Sequence, residues 1–277
     1  MAKLTKMKAS KTKRFLVYGP PKTGKTKLAG ALAEKFNVLF FSLENGHDTL
    51  FQLPEEWQQR IEVIALPDTK SYPIAIETML KVIKGGPVTI CEEHGKVACP
   101  ACAKLRSEGK DAPAVDVNLN ELDDSWVVIV DSLSQLTNSA ISNITKGKPD
   151  DYKMQTDDWG NLGKLMDAFL SHVQAARYNI VCISHEEVVE MNDGKEKIVA
   201  KAGTRNFSRN SAKYFDEVIY CEVVNKKHVF GSSTAYKGSI VTGSRGNFSL
   251  EDSLDPKLLD FLHPELAKLK PAPGAKP

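Results

Sequence analysis

The chain has 277 residues, 42% hydrophobic and 26% charged, with a formal net charge of +2. That balance describes an ordinary soluble globular protein with chain enough for a large core, in one large domain or two small ones. So small a charge does not by itself point to nucleic acid. No apolar run approaches membrane-spanning length and the N-terminus lacks a signal peptide's apolar core, so a cytoplasmic protein with no membrane partner is expected.

Residues 1–13 carry Lys3, Lys6, Lys8, Lys11 and Lys13 without an acid, which predicts a solvated, flexible terminus. Arg14-Phe15-Leu16-Val17-Tyr18 has strand length, and the apolar spacing from Lys27 to Phe36 is helical. Between them lies Gly19-Pro20-Pro21-Lys22-Thr23-Gly24-Lys25-Thr26. Strand, G-x-x-x-x-G-K-T and helix together are the context of a phosphate-binding loop. Loop amides and the positive helix end face phosphate oxygens. Lys25 then places an ammonium on the β- and γ-phosphates, and Thr26 offers its hydroxyl to Mg²⁺. The loop residues and Lys27 form the candidate site for a nucleoside triphosphate.

Val38-Leu39-Phe40-Phe41-Ser42-Leu43-Glu44 reads as a buried parallel strand closing on a carboxylate. A helix around 47–60, a strand at 61–66 and a helix around 72–84 continue the alternation. This predicts an α/β protein, a mostly parallel sheet with helices on both faces. Residues 85–124 break the rhythm and read as an insertion within a core spanning 14–250. It contains Cys91, His94, Cys99 and Cys102 in C-x₂-H-x₄-C-x₂-C spacing. Four such ligands match a closed tetrahedral Zn²⁺ site, structural because no position stays open, in a segment with too little apolar content to fold unaided. Cys182 and Cys221 sit in strand-like runs and read as core thiols.

Trp126-Val127-Val128-Ile129-Val130-Asp131-Ser132 resumes the core as a strand ending in Asp. Asp131 fits the second Mg²⁺-organising group of such a nucleotide site. The water-activating carboxylate often follows directly, but here the next residue is Ser132. Glu44 is the candidate instead, on a strand expected to lie beside the phosphate loop. A helix over 133–145, a loop at 146–153, a long helix at 156–177 and a strand 179–185 ending in His185 follow. A hairpin turns on Asn192-Asp193-Gly194-Lys195. Strands at 216–224, 227–232 and 237–242 complete the sheet. A C-terminal helix and flexible tail occupy 251–277.

The phosphate loop, Ser42-Leu43-Glu44, Val127-Val128-Ile129-Val130-Asp131-Ser132 and the strand ending in His185 resemble the RecA-like ATPase core. Asp157-Asp158-Trp159-Gly160-Asn161-Leu162-Gly163 and Ile183-Ser184-His185-Glu186 are similar to phage-associated AAA-type proteins, in the single-strand annealing and recombination branch. The resemblance implies ATP hydrolysis with Mg²⁺ and action on single-stranded DNA. It implies a homo-oligomer, ring or filament, an associated single-stranded-DNA-binding protein, and a host-cytoplasmic location if the chain is phage-encoded. Lys25, Thr26 and Asp131 would bind phosphate and Mg²⁺, Glu44 would orient the water, and His185 would sense the γ-phosphate. Arg245, between Gly243 and Gly246, would enter the neighbouring subunit's site, with Lys237 a second candidate. DNA would contact the loop 146–153, through Lys146, Lys148, Lys153 and Tyr152, and the hairpin 186–200. Two other readings stay open: a small-molecule kinase with a zinc lid, and a nucleotide-switched scaffold without turnover.

Overall fold

The computed structural model describes residues 12–232, 237–245 and 258. The basic segment 1–11, Gly246 and the C-terminal helix and tail lie outside the described residues, Leu258 excepted. The elements are β1 (Arg14–Tyr18), α1 (Lys25–Gly30), β2 (Asn37–Ser42), α2 (Glu55–Gln58), β3 (Ile61–Ala65), α3 (Ala75–Ile83), β4 (Val88–Cys91), α4 (Pro100–Ser107), β5 (Ala114–Val117) and β6 (Trp126–Asp131). They continue with α5 (Leu133–Ile144), α6 (Thr156–Ala175), β7 (Asn179–Ser184), β8 (Glu186–Glu190), β9 (Glu196–Ala200), α7 (Arg205–Asn210), β10 (Glu217–Val224), β11 (Lys227–Gly231) and β12 (Gly243–Ser244).

The main sheet runs β11-β10-β1-β7-β6-β2-β3, with β12 on the start of β10. From β10 to β3 every pairing is parallel, while β11 and β12 are antiparallel to β10. The expected architecture is therefore the one observed. Interior strands are apolar on both sides because both sides are covered. Leu16, Tyr18, Phe41, Val128 and Val130 face α3, α5 and α6, whereas Phe15, Val17, Phe40 and Ile129 face the α1 side. On α6, Leu162, Met166, Phe169, Leu170 and Val173 repeat at helical spacing and are fully buried. Parallel order carries the carboxyl ends of β1, β7, β6 and β2 to one edge, where Gly19, His185, Asp131 and Glu44 follow.

Three expectations change, and one helix is added. β2 is not beside β1, since β7 and β6 intervene. Apolar runs of equal character do not encode their lateral order, which long-range packing decides. The helix around 47–60 splits into a 3₁₀ segment, Gly46–Gln52, and the short α2. Pro54 stands between them, and its missing N–H ends the ladder. No strand spans 237–242. Ile240 makes one bridge to Ile198, and the chain then pairs with β10 through β12. Its turn residues Lys237-Gly238-Ser239 interrupt the pattern. α7 arises from a run without clear apolar periodicity, started by Thr204, whose side chain accepts from the Phe207 N–H.

The segment 85–124 forms its own two-stranded antiparallel sheet, β4 with β5, with α4 in the connection between them. The β8–β9 hairpin has the expected turn, with Gly194 at φ 77°. Asp68, after β3, accepts from the Ala75 N–H at 2.8 Å, Gln135 at 2.8 Å and Ser139 at 2.7 Å. It thereby ties the start of α3 to α5.

Candidate nucleotide site and Cys/His cluster

The 19–26 loop turns on two glycines. Gly19 has φ 143°, and a Cβ there would lie 2.1 Å from Cys221 O on β10. Gly24 caps α1 at φ 85°, a left-handed conformation that costs other residues energy. Lys25, only 7% exposed, donates from Nζ to Gly19 O at 3.0 Å and Pro20 O at 2.6 Å. Burial lowers its pKa against the opposing pull of Asp131 and Glu44. Thr23 Oγ1 closes the turn by donating to Pro20 O at 2.9 Å.

Thr26 Oγ1 donates to Asp131 Oδ2 at 2.8 Å. Burial pushes the Asp131 carboxyl up to about 6, partly countered by that hydrogen bond. A Cβ on Gly46 would stand 3.5 Å from Asp131 Oδ2 and 4.0 Å from Thr26 Oγ1, so the glycine keeps the flank of this oxygen pair open.

Glu44 receives a short hydrogen bond from Ser132 Oγ, and its Oε2 lies 3.3 Å from His185 Nε2. Burial works against its ionisation, but the hydrogen bonds from His185 and Ser132 and the nearby Lys25 ammonium outweigh it and hold the carboxyl below its usual range. The His185 amide donates to Ser134 Oγ at 2.7 Å, while ring Nδ1 is buried without a partner. Ser132 also caps α5 by accepting from the Gln135 N–H, so one hydroxyl fixes both the helix and the carboxylate.

These groups line one cavity of about 1300 Å³, large enough for a nucleoside triphosphate. Pro21, Lys22, Thr23 and Lys27 are on its wall, with Lys25, Thr26, Glu44, Asp131 and His185 at one end and Leu53, Pro54, Trp57 and Phe230 elsewhere. His228, Lys226 and Lys227 line it as well. The two-residue gap between the strands expected at 216–224 and 227–232 is the sequence signal for this hairpin, although not for where it leans. Arg245 is not brought to the cavity. Its Nη1 lies 3.5 Å from Asp216 Oδ1 and its Nη2 donates to Lys213 O at 2.5 Å, at the amino-terminal edge of the sheet. Lys237 is likewise engaged, 2.5 Å from Glu222.

In the insertion, ligand atoms of Cys91, His94, Cys99 and Cys102 lie within 4.8 Å of one another, and His94 Nδ1 is 3.3 Å from Cys102 Sγ. The three thiols are buried and unbridged. A tetrahedral zinc with bonds of about 2.3 Å separates its ligands by roughly 3.8 Å, so the donor set and its spacing fit. The Cys102 amide holds the Cys99 thiol below its ordinary pKa. The knuckle docks on the core through apolar side chains such as Ile90 and Val97 and through main-chain oxygens: Thr78 Oγ1 donates to Gly95 O at 2.6 Å and Tyr72 OH to His94 O at 3.2 Å.

A parallel sheet whose first strand ends in a G-x-x-x-x-G-K-T loop, with a Thr–Asp oxygen pair beside it, defines a P-loop nucleotide-binding domain. The chain belongs to the AAA domain family, whose model matches residues 11–246. No curated protein matches it. Among solved structures it is similar to the RadB recombinase, at 16% identity and a TM-score of 0.41 over 79% of each chain. It is also similar to a KaiC-like protein of Pyrococcus horikoshii OT3, at 10% identity and a TM-score of 0.39 over 79% of this chain and 77% of that one. No helix among the described residues is long and apolar enough to cross a membrane.

Proposed function

We propose that this chain is a Mg²⁺-dependent ATPase that acts on single-stranded DNA as a ring or filament of its own copies, in phage-type recombination, annealing or replication. The observation that carries the ATPase reading is Glu44, kept ionised by His185 and Ser132 in the same cavity as Lys25, Thr26 and Asp131. Lys25 and the loop amides bind the β- and γ-phosphates. Thr26 and Asp131 supply oxygens suited to a hard cation, and Mg²⁺ bound there neutralises phosphate charge. Glu44 orients the attacking water and takes its proton on a carboxylate oxygen, and His185 links that event to the start of the β8–β9 hairpin.

Cys91, His94, Cys99 and Cys102 would hold a structural zinc. None of the residues from 85 to 124 lines the cavity, which speaks against a zinc lid closing over a kinase site. For DNA, the supporting surface is the loop 146–153 with Trp159, 45% exposed, on the first turns of α6. Lysines beside aromatic side chains are the usual means of holding a single strand. Tyr152 is committed within this loop, donating to Asp158 at 2.6 Å under the Lys148 ammonium, so Trp159 is the better stacking platform.

The deciding experiment is steady-state phosphate release from ATP with and without single-stranded DNA, with Lys25→Ala as control. Hydrolysis that DNA accelerates and the control abolishes supports the reading. Undiminished hydrolysis in the control removes the phosphate-loop assignment, and turnover indifferent to DNA that binds removes the DNA-coupled function.

A further inference from the structure

The β10–β11 hairpin carries charge for which the reaction above has no role. Its strands are joined by Asn225 and Lys226 alone, with Val224 opposite Lys227 in the register. Both joining residues have positive φ, 50° and 64°, which is the twist of a type I′ turn and matches that of the strands. The tip is therefore shaped by the sheet. Side chains on β11 alternate between faces. His228 and Phe230, two apart on β11, both line the cavity, and Lys226 in the turn and Lys227 at the start of β11 line it as well.

The hairpin is fixed to the phosphate loop at two places. His228 Nδ1 donates to Thr23 O at 3.0 Å, and a Cβ on Gly24 would approach that nitrogen to 3.2 Å. At the base, Cys221 O lies directly against Gly19. Lys226 and Lys227 have no acidic partner among the described residues, in contrast to Lys237, which is paired with Glu222. Arg245, the other cation considered for the phosphates, is held by Asp216 at the opposite edge of its own sheet. Two exposed ammonium groups on a shaped tip, anchored to the loop that binds phosphate, call for an anion between them and that loop.

We propose that the hairpin is a cationic arm acting within its own chain: Lys226, assisted by Lys227, contacts the phosphates of the nucleotide held by residues 19–26, and His228 is its positioning residue. This rests on the nucleotide reading above. Preorganised charge aimed at a developing negative charge is worth about 100- to 1,000-fold in rate at buried sites. On an exposed tip, solvent reduces this to roughly tenfold to a hundredfold.

The test uses the full chain. Lys226→Ala, Lys227→Ala and the double variant are compared with the parent by phosphate release, by titration with fluorescent ATP and ADP analogues, and by thermal melting. The double variant is expected to melt as the parent does, because both side chains are exposed. It should turn over about tenfold to a hundredfold more slowly and lose more affinity for the ATP analogue than for the ADP analogue. Lys226→Arg should retain most of the rate. His228→Ala should slow turnover without lowering the melting temperature, and His228→Asn, whose amide can still donate to Thr23 O, should restore it. Mixing the double variant with Lys25→Ala should restore nothing, because arm and site belong to one chain. Parental turnover and analogue affinity in the double variant would overturn the arm, and restored turnover in the mixture would overturn its action within the chain. Parental analogue binding by Lys25→Ala would instead strike the nucleotide reading itself.

Discussion

Glu44→Gln separates binding from hydrolysis more sharply than any other single change. The amide keeps an oxygen that can accept from Ser132 Oγ, but it turns an NH₂ toward His185 Nε2, which is 3.3 Å from the carboxylate in the parent. His185 can then accept at Nε2 only by moving its proton to Nδ1, which is buried without a partner. An unpaired buried donor costs about 1–3 kcal/mol, and the partial exposure of this ring puts the cost near the lower end. Folding should thus survive with a modest drop in melting temperature. Catalysis should not, since a positioned general base contributes about 100- to 10,000-fold, or roughly 2.7–5.4 kcal/mol at 1.36 kcal/mol per tenfold. Removing a negative charge from beside Lys25 leaves nucleotide affinity equal or tighter. The assay pairs phosphate release at saturating ATP with titration of a fluorescent ATP analogue. Turnover within about tenfold of the parent, with the analogue bound, would refute the role given to Glu44.

Other outcomes follow from the same geometry. Protein purified without chelator should contain about one Zn²⁺ per chain by metal analysis. Cys99→Ser should lose it and expose the 85–124 segment to protease before the sheet unfolds. Zinc-free parental protein, or parental resistance in the variant, would count against the cluster as a staple. Arg245→Ala should bind ATP normally and, if Arg245 reaches a neighbour's cavity, hydrolyse it about a thousandfold more slowly. Mixing with Lys25→Ala should then partly recover turnover. Since Arg245 holds Asp216 in its own chain, a fall in melting temperature without a change in per-site turnover would show a structural role instead.

The site was most legible where chemistry dictates residue type along a continuous stretch. Gly19, Gly24, Lys25 and Thr26 are spaced by the needs of a loop facing phosphate, and Cys91, His94, Cys99 and Cys102 by the reach of ligands to a common point. The sequence points to Glu44 for a reason that is only partly right. Its strand ends at the correct edge, but β7 and β6 lie between it and β1; it is held there by His185 and by Ser132, the neighbour of Asp131, which accepts from Thr26. His228 was invisible because its value comes from a contact with Thr23, 205 positions away in the chain, which no local pattern announces. Pro54 and the Lys237-Gly238-Ser239 turn were visible breakers, and the longer periodic patterns around them obscured both.

The knuckle is attached to the core by the carbonyl oxygens of His94 and Gly95, received by Tyr72 and Thr78. Neither these carbonyl oxygens nor the apolar side chains that join the core, Ile90 and Val117 among them, involve the charged residues that the knuckle displays. Glu92, Glu93 and Lys96 are thereby free to vary as long as the four ligands and the Gly95 turn remain. That makes the module an exchangeable surface on a fixed chassis, where recognition can be rewritten residue by residue while the machinery beneath keeps its shape.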